Sequence, residues 1–132
     1  MKFDLEDRLV DFSVQILTLV EQLPETRVCI HLSNQMIRSC TSPTLIYGEA
    51  QGAESRRDFI HKMKMALKEL RETKNNLTIV SRKKYLKNED LMQKSLAESE
   101  ELIRIFVKSI STARANLKKE NTEKQRVPRL KN

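Results

Sequence analysis

The sequence predicts an all-α protein, an antiparallel up-and-down four-helix bundle, on three observations. Apolar residues make up 39% of the 132 positions and charged residues 33%, with only two Gly, three Pro and no Trp, a composition typical of helices with narrow apolar stripes. Apolar residues also recur at alternating spacings of four and three through most of the chain, which is the period of one helix face. The turn residues of an all-β protein are largely missing.

A chain of this length is expected to form one domain. We place the bundle at residues 1–118, with short connections that make neighbouring helices antiparallel. The segment KKENTEKQRVPRLKN has almost no apolar content, so residues 119–132 are predicted to be a disordered basic tail. The four helices are predicted at about residues 3–22, 26–50, 53–84 and 88–118.

The first two helices are separated by Pro24. Thr26 is the predicted N-cap of the second helix, and Pro43 inside it predicts either a kink or a stop and restart near residues 40–42. The apolar stripe of the first helix is Leu5, Leu9, Phe12, Ile16, Leu19 and Leu23. The stripe of the second helix is Val28, Leu32, Met36 and Cys40.

Gly52 is the predicted break before the third helix, and Asn88 is the predicted N-cap of the fourth. We expect Phe59 to be fully buried, and Asp58 to pair with Lys62 at the favourable spacing of four residues. The third stripe is Phe59, Met63, Ala66, Leu70, Thr73, Leu77 and Val80. The fourth is Met92, Leu96, Ser99, Ile103, Phe106, Ile110, Ala113 and Leu117.

Several apolar residues lie off these stripes. They predict a further buried face, and since a monomer would leave that face in water, we expect a homo-oligomer. Examples are Val10, Leu17, Leu102, Ile105 and Val107.

The sequence offers no membrane segment, because no window approaches 18 uncharged apolar residues. The start MKFDLEDRLVDF is acidic where a signal peptide needs an apolar run, so we expect a cytoplasmic protein with no membrane partner. In a reducing compartment Cys29 and Cys40 are predicted to be buried free thiols, with a disulfide as the alternative.

Catalytic motifs are sparse, so we predict no enzyme activity and no cofactor. Glu54, Asp58 and His61 can share one helical face, but the matching Glu-x-x-His of a two-metal bundle is missing. We therefore predict no metal site and expect Asp58 and His61 to hold a neighbouring helix end or subunit. Cys–His pairs lack an oxyanion loop, and no phosphate-binding Gly-rich loop occurs.

Positive charge is concentrated in the middle of the chain. Residues 53–87 hold eleven basic and four acidic residues, a net charge of +7, whereas residues 1–52 have a net charge of −3. This segment predicts phosphate contacts with RNA or DNA, read without base specificity because only Tyr47 and Tyr85 are available for stacking. The alternatives are an acidic protein partner and a solvated face. The candidate contacts are Arg56, Arg57, Lys62, Lys64, Lys68, Arg71, Lys74, Arg82, Lys83 and Lys84.

The segment SCTSPTLIYGEAQGAESRRDFIHKMKMALKELRETKNNL resembles the signature of the bacterial four helix bundle protein family encoded in intervening sequences of large-subunit ribosomal RNA genes. The resemblance spans roughly residues 3–115 and is most specific over 41–77. It implies a ring of five subunits. The family is similar to the accessory proteins of diversity-generating retroelements, basic pentamers that bind nucleic acid and a reverse transcriptase.

Within this resemblance the chain departs from the family pattern at a few positions. Asn75 and Asn76 stand where an aromatic pair often follows RETK, and Pro43, Ile46 and Gly48 are also unusual. The matching positions, on which a shared role would rest, are Ser42, Glu49, Asp58, Phe59, His61, Lys62, Glu69, Glu72 and Thr73.

Overall fold

The computed structural model describes residues 4–126, which form four α-helices in an antiparallel up-and-down bundle, so the predicted fold class is confirmed. Each helix packs on the next and α1 also packs on α4, which sets the four helices at the corners of a square in chain order. The α1–α2 side therefore lies opposite the α3–α4 side. The helices are α1 (Leu5–Glu21), α2 (Arg27–Gln51), α3 (Arg56–Arg82) and α4 (Glu89–Arg126).

All four helices begin at a side-chain N-cap. Asp4, Thr26, Ser55 and Asn88 each accept a hydrogen bond from the backbone N–H three residues later, at 3.0–3.2 Å. Such caps satisfy N–H groups that have no partner inside the helix. The predicted caps Thr26 and Asn88 are confirmed, whereas α3 begins at Arg56, later than predicted, because Ser55 is its cap.

The end of α3 is a Schellman motif. The N–H of Tyr85 donates to the carbonyl of Val80, and the N–H of Lys84 donates to that of Ser81, both at 3.1 Å. This motif requires a left-handed residue, and Lys84 supplies it with φ of 57°. The helix therefore ends at Arg82, two residues before the predicted boundary.

The core lies along the bundle axis, and the predicted α1 stripe is buried over its whole length. The α2 register differs from the prediction by one residue at its start. Val28 is 50% exposed, whereas the neighbouring Cys29 is fully buried. Thr26 fixes the first turn, and that turn points Cys29 inward.

The buried stripes of α3 and α4 also shift at individual positions. Phe59 is only partly buried, and Ile60 takes the inner position. On α4, Ser95 and Leu102 are fully buried while Leu96 and Ile103 are partly exposed. The α4 shift has a polar cause that an apolar pattern misses, since the Ser95 hydroxyl accepts a hydrogen bond from the Gln15 amide of α1 at 3.0 Å. Leu117 is likewise only partly buried.

Helix α2 runs without interruption through Pro43, which excludes the stop and restart, one of the two predicted alternatives. A proline inside a helix leaves the carbonyl four residues earlier without its N–H donor. Here that carbonyl belongs to Ser39, and a hydroxyl from α1 contacts the carbonyl next to it. The Ser13 Oγ lies 2.7 Å from the carbonyl oxygen of Cys40 and 3.3 Å from the Thr44 Oγ1. These contacts fasten α1 to the proline turn.

Helix α4 continues to Arg126, so the prediction of disorder from residue 119 is corrected for 119–126; the remaining tail residues lie outside the described part. Glu120 pairs with Arg56 of α3 at 2.9 Å and with Lys124 one turn later at 3.9 Å. Such pairs favour the helical conformation even without apolar packing.

Two predictions about the whole chain concern cysteines and membranes. Cys29 and Cys40 are buried free thiols, and burial raises the pKa of Cys40 to about 11. Among the described helices none is long and apolar enough to cross a membrane.

Candidate nucleic-acid interface

Helix α3 presents a stripe of basic side chains to solvent. Arg57, Lys64, Lys68 and Arg71 follow one another at spacings of seven, four and three residues, and all four are exposed. These spacings place them on one helical face. The buried stripe on the other face, centred on Met63 and Leu70, fixes this orientation. We call these four residues the α3 basic stripe.

Three other predicted contacts lie at the edges of α3 and are paired inside the chain. Their acidic partners stand on the neighbouring helices, so the pairs join α3 to its neighbours as well as neutralising the cations. The predicted pairing of Lys62 with Asp58 is replaced by one with Glu49, which raises the pKa of Lys62. The pairs are Arg56 with Glu120 at 2.9 Å, Lys62 with Glu49 at 2.8 Å and Lys74 with Glu100 at 3.8 Å.

A shallow groove between α3 and α4 collects the unpaired cations. Lys64 and Arg71 of the α3 basic stripe line it together with Arg114 of α4, around a volume of about 330 Å³. Val107 and Ser111 form part of its floor. No carboxylate within the described residues forms a salt bridge with any of the three cations. We call this feature the α3–α4 groove.

Arg114 was not among the predicted contacts. It lies in residues 88–117, a segment with a net charge of −1, so composition gave no reason to select it. Its position follows from the antiparallel packing of α4 on α3, which the Arg56–Glu120 and Lys74–Glu100 pairs fix in register. Charges that converge in a groove raise the local potential more than the same charges spread over a surface.

The remaining predicted contacts form a separate cluster at the far end of α3. Arg82, Lys83 and Lys84 lie in the turn to α4, and the Lys83 Nζ stands 5.7 Å from the centre of the Tyr85 ring. Helix geometry places Arg82 about 37 Å from Arg57 along the helix axis. The predicted patch is therefore divided into a groove and a turn cluster.

Most of the polar family-signature residues meet along the seam between α2 and α3. Besides the Glu49–Lys62 pair, Ser42 of α2 lies beside Glu69 of α3, and burial raises the pKa of Glu69, with repulsion from Glu72 acting in the same direction. Thr73 lies just beneath, fully buried, with its hydroxyl 2.7 Å from the Ser39 hydroxyl.

The possible metal ligands of the sequence do not form a site. Asp58 lies in the first turn of α3, where its N–H donates to Ser55, while Glu54 and His61 are exposed. Across residues 4–126 no three His, Cys, Asp or Glu side chains come together in a way that could hold a metal ion.

The opposite side of the bundle, formed by α1 and α2, carries exposed apolar side chains among its polar ones. It exposes Val10, Val14, Ile30, Ile37 and Leu45, the last at 71%. We call these five residues the α1–α2 apolar face. The off-stripe residues behave differently from one another, since Leu102 belongs to the core, Ile105 is partly buried and Val107 lines the α3–α4 groove.

Comparison with known proteins agrees with this architecture. The model of the 23S rRNA-intervening sequence protein family matches residues 2–108. A crystal structure of a protein of unknown function from the S23 ribosomal protein family of Bacteroides thetaiotaomicron is similar, with a TM-score of 0.73 and 32% sequence identity over 81% of this chain and 98% of that one. No curated protein matches the chain. The chain therefore belongs to the 23S rRNA-intervening sequence protein family.

Proposed function

We propose that this protein is a non-enzymatic, homo-oligomeric nucleic-acid-binding protein that holds backbone phosphates in the α3–α4 groove. The observation that carries the proposal is the convergence of Lys64, Arg71 and Arg114 without an acidic partner among the described residues. A phosphate placed there meets three positive charges, and its binding releases counterions from the nucleic acid. Arg57 and Lys68 extend the charge along α3.

The pattern of pairing supports phosphate as the ligand. Cations at the helix edges already have carboxylate partners, as in the Lys62–Glu49 and Arg56–Glu120 pairs. The central cations of α3 have no such partner among the described residues, and they lie in a line parallel to the helix axis. Such a line suits the regular charge spacing of a nucleic-acid backbone.

The test compares two triple variants with the same loss of charge. The groove variant carries Lys64→Gln, Arg71→Gln and Arg114→Gln. The control variant carries the same change at three paired cations, namely Arg56, Lys62 and Lys74. Fluorescence anisotropy with labelled structured RNA, duplex DNA and single strands, each over a salt series, measures the affinity.

We expect the groove variant to reduce the slope of log affinity against log salt by about 2–3, because each lost phosphate contact removes about 0.9. The control variant should change the slope much less. Equal effects of the two variants would show that net charge, and not the groove, governs binding. Wild-type protein that fails to bind any of the nucleic acids at low salt would refute the proposal and favour an acidic protein partner.

The oligomeric part of the proposal rests on the α1–α2 apolar face. Val14 is 57% exposed and Leu45 is 71% exposed, and apolar side chains clustered on one side of a small domain favour coverage by another surface. We take a second copy of the chain as the occupant. A ring of five, as the family resemblance implies, is closed by head-to-tail contacts, so this face would meet a different surface of the next subunit. Since the face lies opposite the α3–α4 groove, it does not itself cover the groove.

A further inference from the structure

A second, smaller cleft lies on the α2–α3 side of the bundle, outside the α3–α4 groove. It is lined almost entirely by amide and charged side chains and has a volume of about 260 Å³. That is just below the range of about 300–1,000 Å³ for sites that enclose drug-sized molecules, so one planar ring system is a suitable occupant. The lining residues are Gln35, Arg38, Glu72, Asn75 and Asn76.

Asn76 is the distinctive residue of this cleft. It is only 9% exposed, yet its side-chain amide makes no hydrogen bond to any described residue. No fully enclosed side-chain N or O atom lacks a partner in the described part of the chain, so the Asn76 amide opens toward the cleft. An amide held in this position is suited to a ligand that enters the cleft.

We propose that this cleft binds an unpaired adenine base of single-stranded nucleic acid. The side-chain amide of an asparagine or glutamine matches adenine, since it accepts from the N6 amino group and donates to N7. Asn76 supplies such an amide at the base of the cleft. Glu72 offers an acceptor for the second N6 hydrogen, and the planar guanidinium of Arg38 offers a surface on which a base can stack.

The position of the cleft joins it to the α3 basic stripe. Asn75 lies seven residues after Lys68 and four after Arg71, which places it on the same helical face as those cations. A strand whose phosphates lie along the stripe therefore passes the mouth of the cleft. This inference rests on the proposed function, to which it adds base selectivity.

Three variants of the full-length chain test the cleft. Asn76→Ala removes the buried amide, Asn75→Ala removes the exposed amide at the mouth, and Asn116→Ala removes an exposed asparagine on α4 as a control. Anisotropy with labelled RNA oligoadenylate, oligouridylate and oligocytidylate, and with DNA oligoadenylate, measures binding. Thermal unfolding checks that each variant is folded.

We expect wild-type protein to prefer oligoadenylate by roughly 5- to 100-fold, the discrimination of one good bidentate contact. Asn76→Ala should abolish this preference without changing the salt slope. Its melting temperature should be equal or higher, because alanine favours the helix and the Asn76 amide has no hydrogen bond to a described residue that could be lost. Asn75→Ala should reduce the preference for oligoadenylate. If Asn76→Ala fails to fold, the preference measured with Asn75→Ala tests the base site in its place. Asn116→Ala should keep it. The DNA arm distinguishes RNA from DNA as the source of the base.

Two results would overturn the inference, and they differ in what else they affect. The base site is refuted, and phosphate binding is left intact, by either of two observations. One is a steep salt dependence with equal affinity for all three RNA homopolymers. The other is a preference for oligoadenylate that persists in both cleft variants. No binding to any strand at low salt refutes the proposed function as well.

Discussion

The two opposite sides of the bundle differ in which groups lack a partner. On the α1–α2 side, side chains such as Val14 and Leu45 are exposed, and the single arginine of α1, Arg8, is held by two hydrogen bonds of 2.7 and 2.8 Å to Glu98. On the α3–α4 side, apolar residues such as Val107 are also exposed, at 43%, but they lie beside cations such as Arg114 that have no acidic partner within the described part of the chain.

This difference is the basis for the two kinds of partner proposed above. The free energy falls when another apolar surface covers exposed apolar area and removes it from water. The free energy also falls when an anion binds to unpaired cations in a groove, and this binding weakens as the salt concentration rises. The two sides are therefore expected to respond to different substitutions and to different solution conditions.

The largest expected effect is the loss of assembly when a charge is placed on the α1–α2 apolar face. Leu45→Lys should convert the proposed oligomer into single subunits, because an ammonium group without a partner is costly to bury in an apolar interface. Light scattering coupled to gel filtration measures the mass.

Val107→Lys is the matched control for that substitution. Val107 is also an exposed apolar residue, at 43%, but it lies in the α3–α4 groove. It should leave the mass unchanged. If Val107→Lys dissociates the oligomer and Leu45→Lys does not, the interface lies on the α3–α4 side and the assignment of the two sides is reversed.

Salt concentration should affect the proposed functions of the two sides differently in the wild-type protein. Raising the concentration from about 50 to 200 mM should weaken nucleic-acid binding by roughly 10- to 100-fold for three phosphate contacts. The same change should leave the oligomer mass constant, because apolar burial is not screened by salt. Dissociation of the oligomer over this range would instead indicate an interface held by ion pairs.

Much of the fold could be predicted from the sequence because helix period and caps are local properties. The α1 stripe from Leu5 to Leu23 is buried as the spacing predicts, and Thr26 and Asn88 cap their helices. On α4 the error of register arose where a polar residue is buried. Ser95 takes an inner position beside its partner Gln15, which is 80 residues away in the chain.

The candidate site was harder to predict from the sequence than the fold. Composition located the basic segment but gave no means to distinguish Lys64, which lines the α3–α4 groove, from Lys62, which is neutralised by Glu49. Arg114 was missed for the same reason. These differences depend on contacts between helices, and a local period does not contain that information.

A smaller effect on stability is expected from the hydroxyl beneath the α1–α2 apolar face. Ser13→Ala removes the side chain that lies 2.7 Å from the Cys40 carbonyl at the proline turn. We expect a loss of about 0.5–1.5 kcal/mol, the net contribution of a typical hydrogen bond within a protein. Ser111→Ala on the α3–α4 side is the control and should stay within about 0.5 kcal/mol, because Ser111 is exposed. Chemical denaturation at fixed protein concentration measures both, and equal losses would remove the role assigned to Ser13.

The smallest effect concerns Glu69, in the seam that joins the two sides. Burial raises its pKa, and the nearby Glu72 adds to the increase. A carboxyl whose pKa is raised by folding binds its proton more tightly in the folded state than in the unfolded state. Its ionised form therefore destabilises the fold at pH 7. This penalty disappears as the pH falls below the pKa of the unfolded state. Glu69→Gln should therefore raise the melting temperature by about 1–3 °C at pH 7, within the usual range for surface substitutions, and by nothing measurable near pH 3. Glu123→Gln, at an exposed position on α4, should change neither. An equal gain at both pH values would assign the effect to side-chain packing, because only the ionised carboxylate is sensitive to the burial and repulsion in this seam.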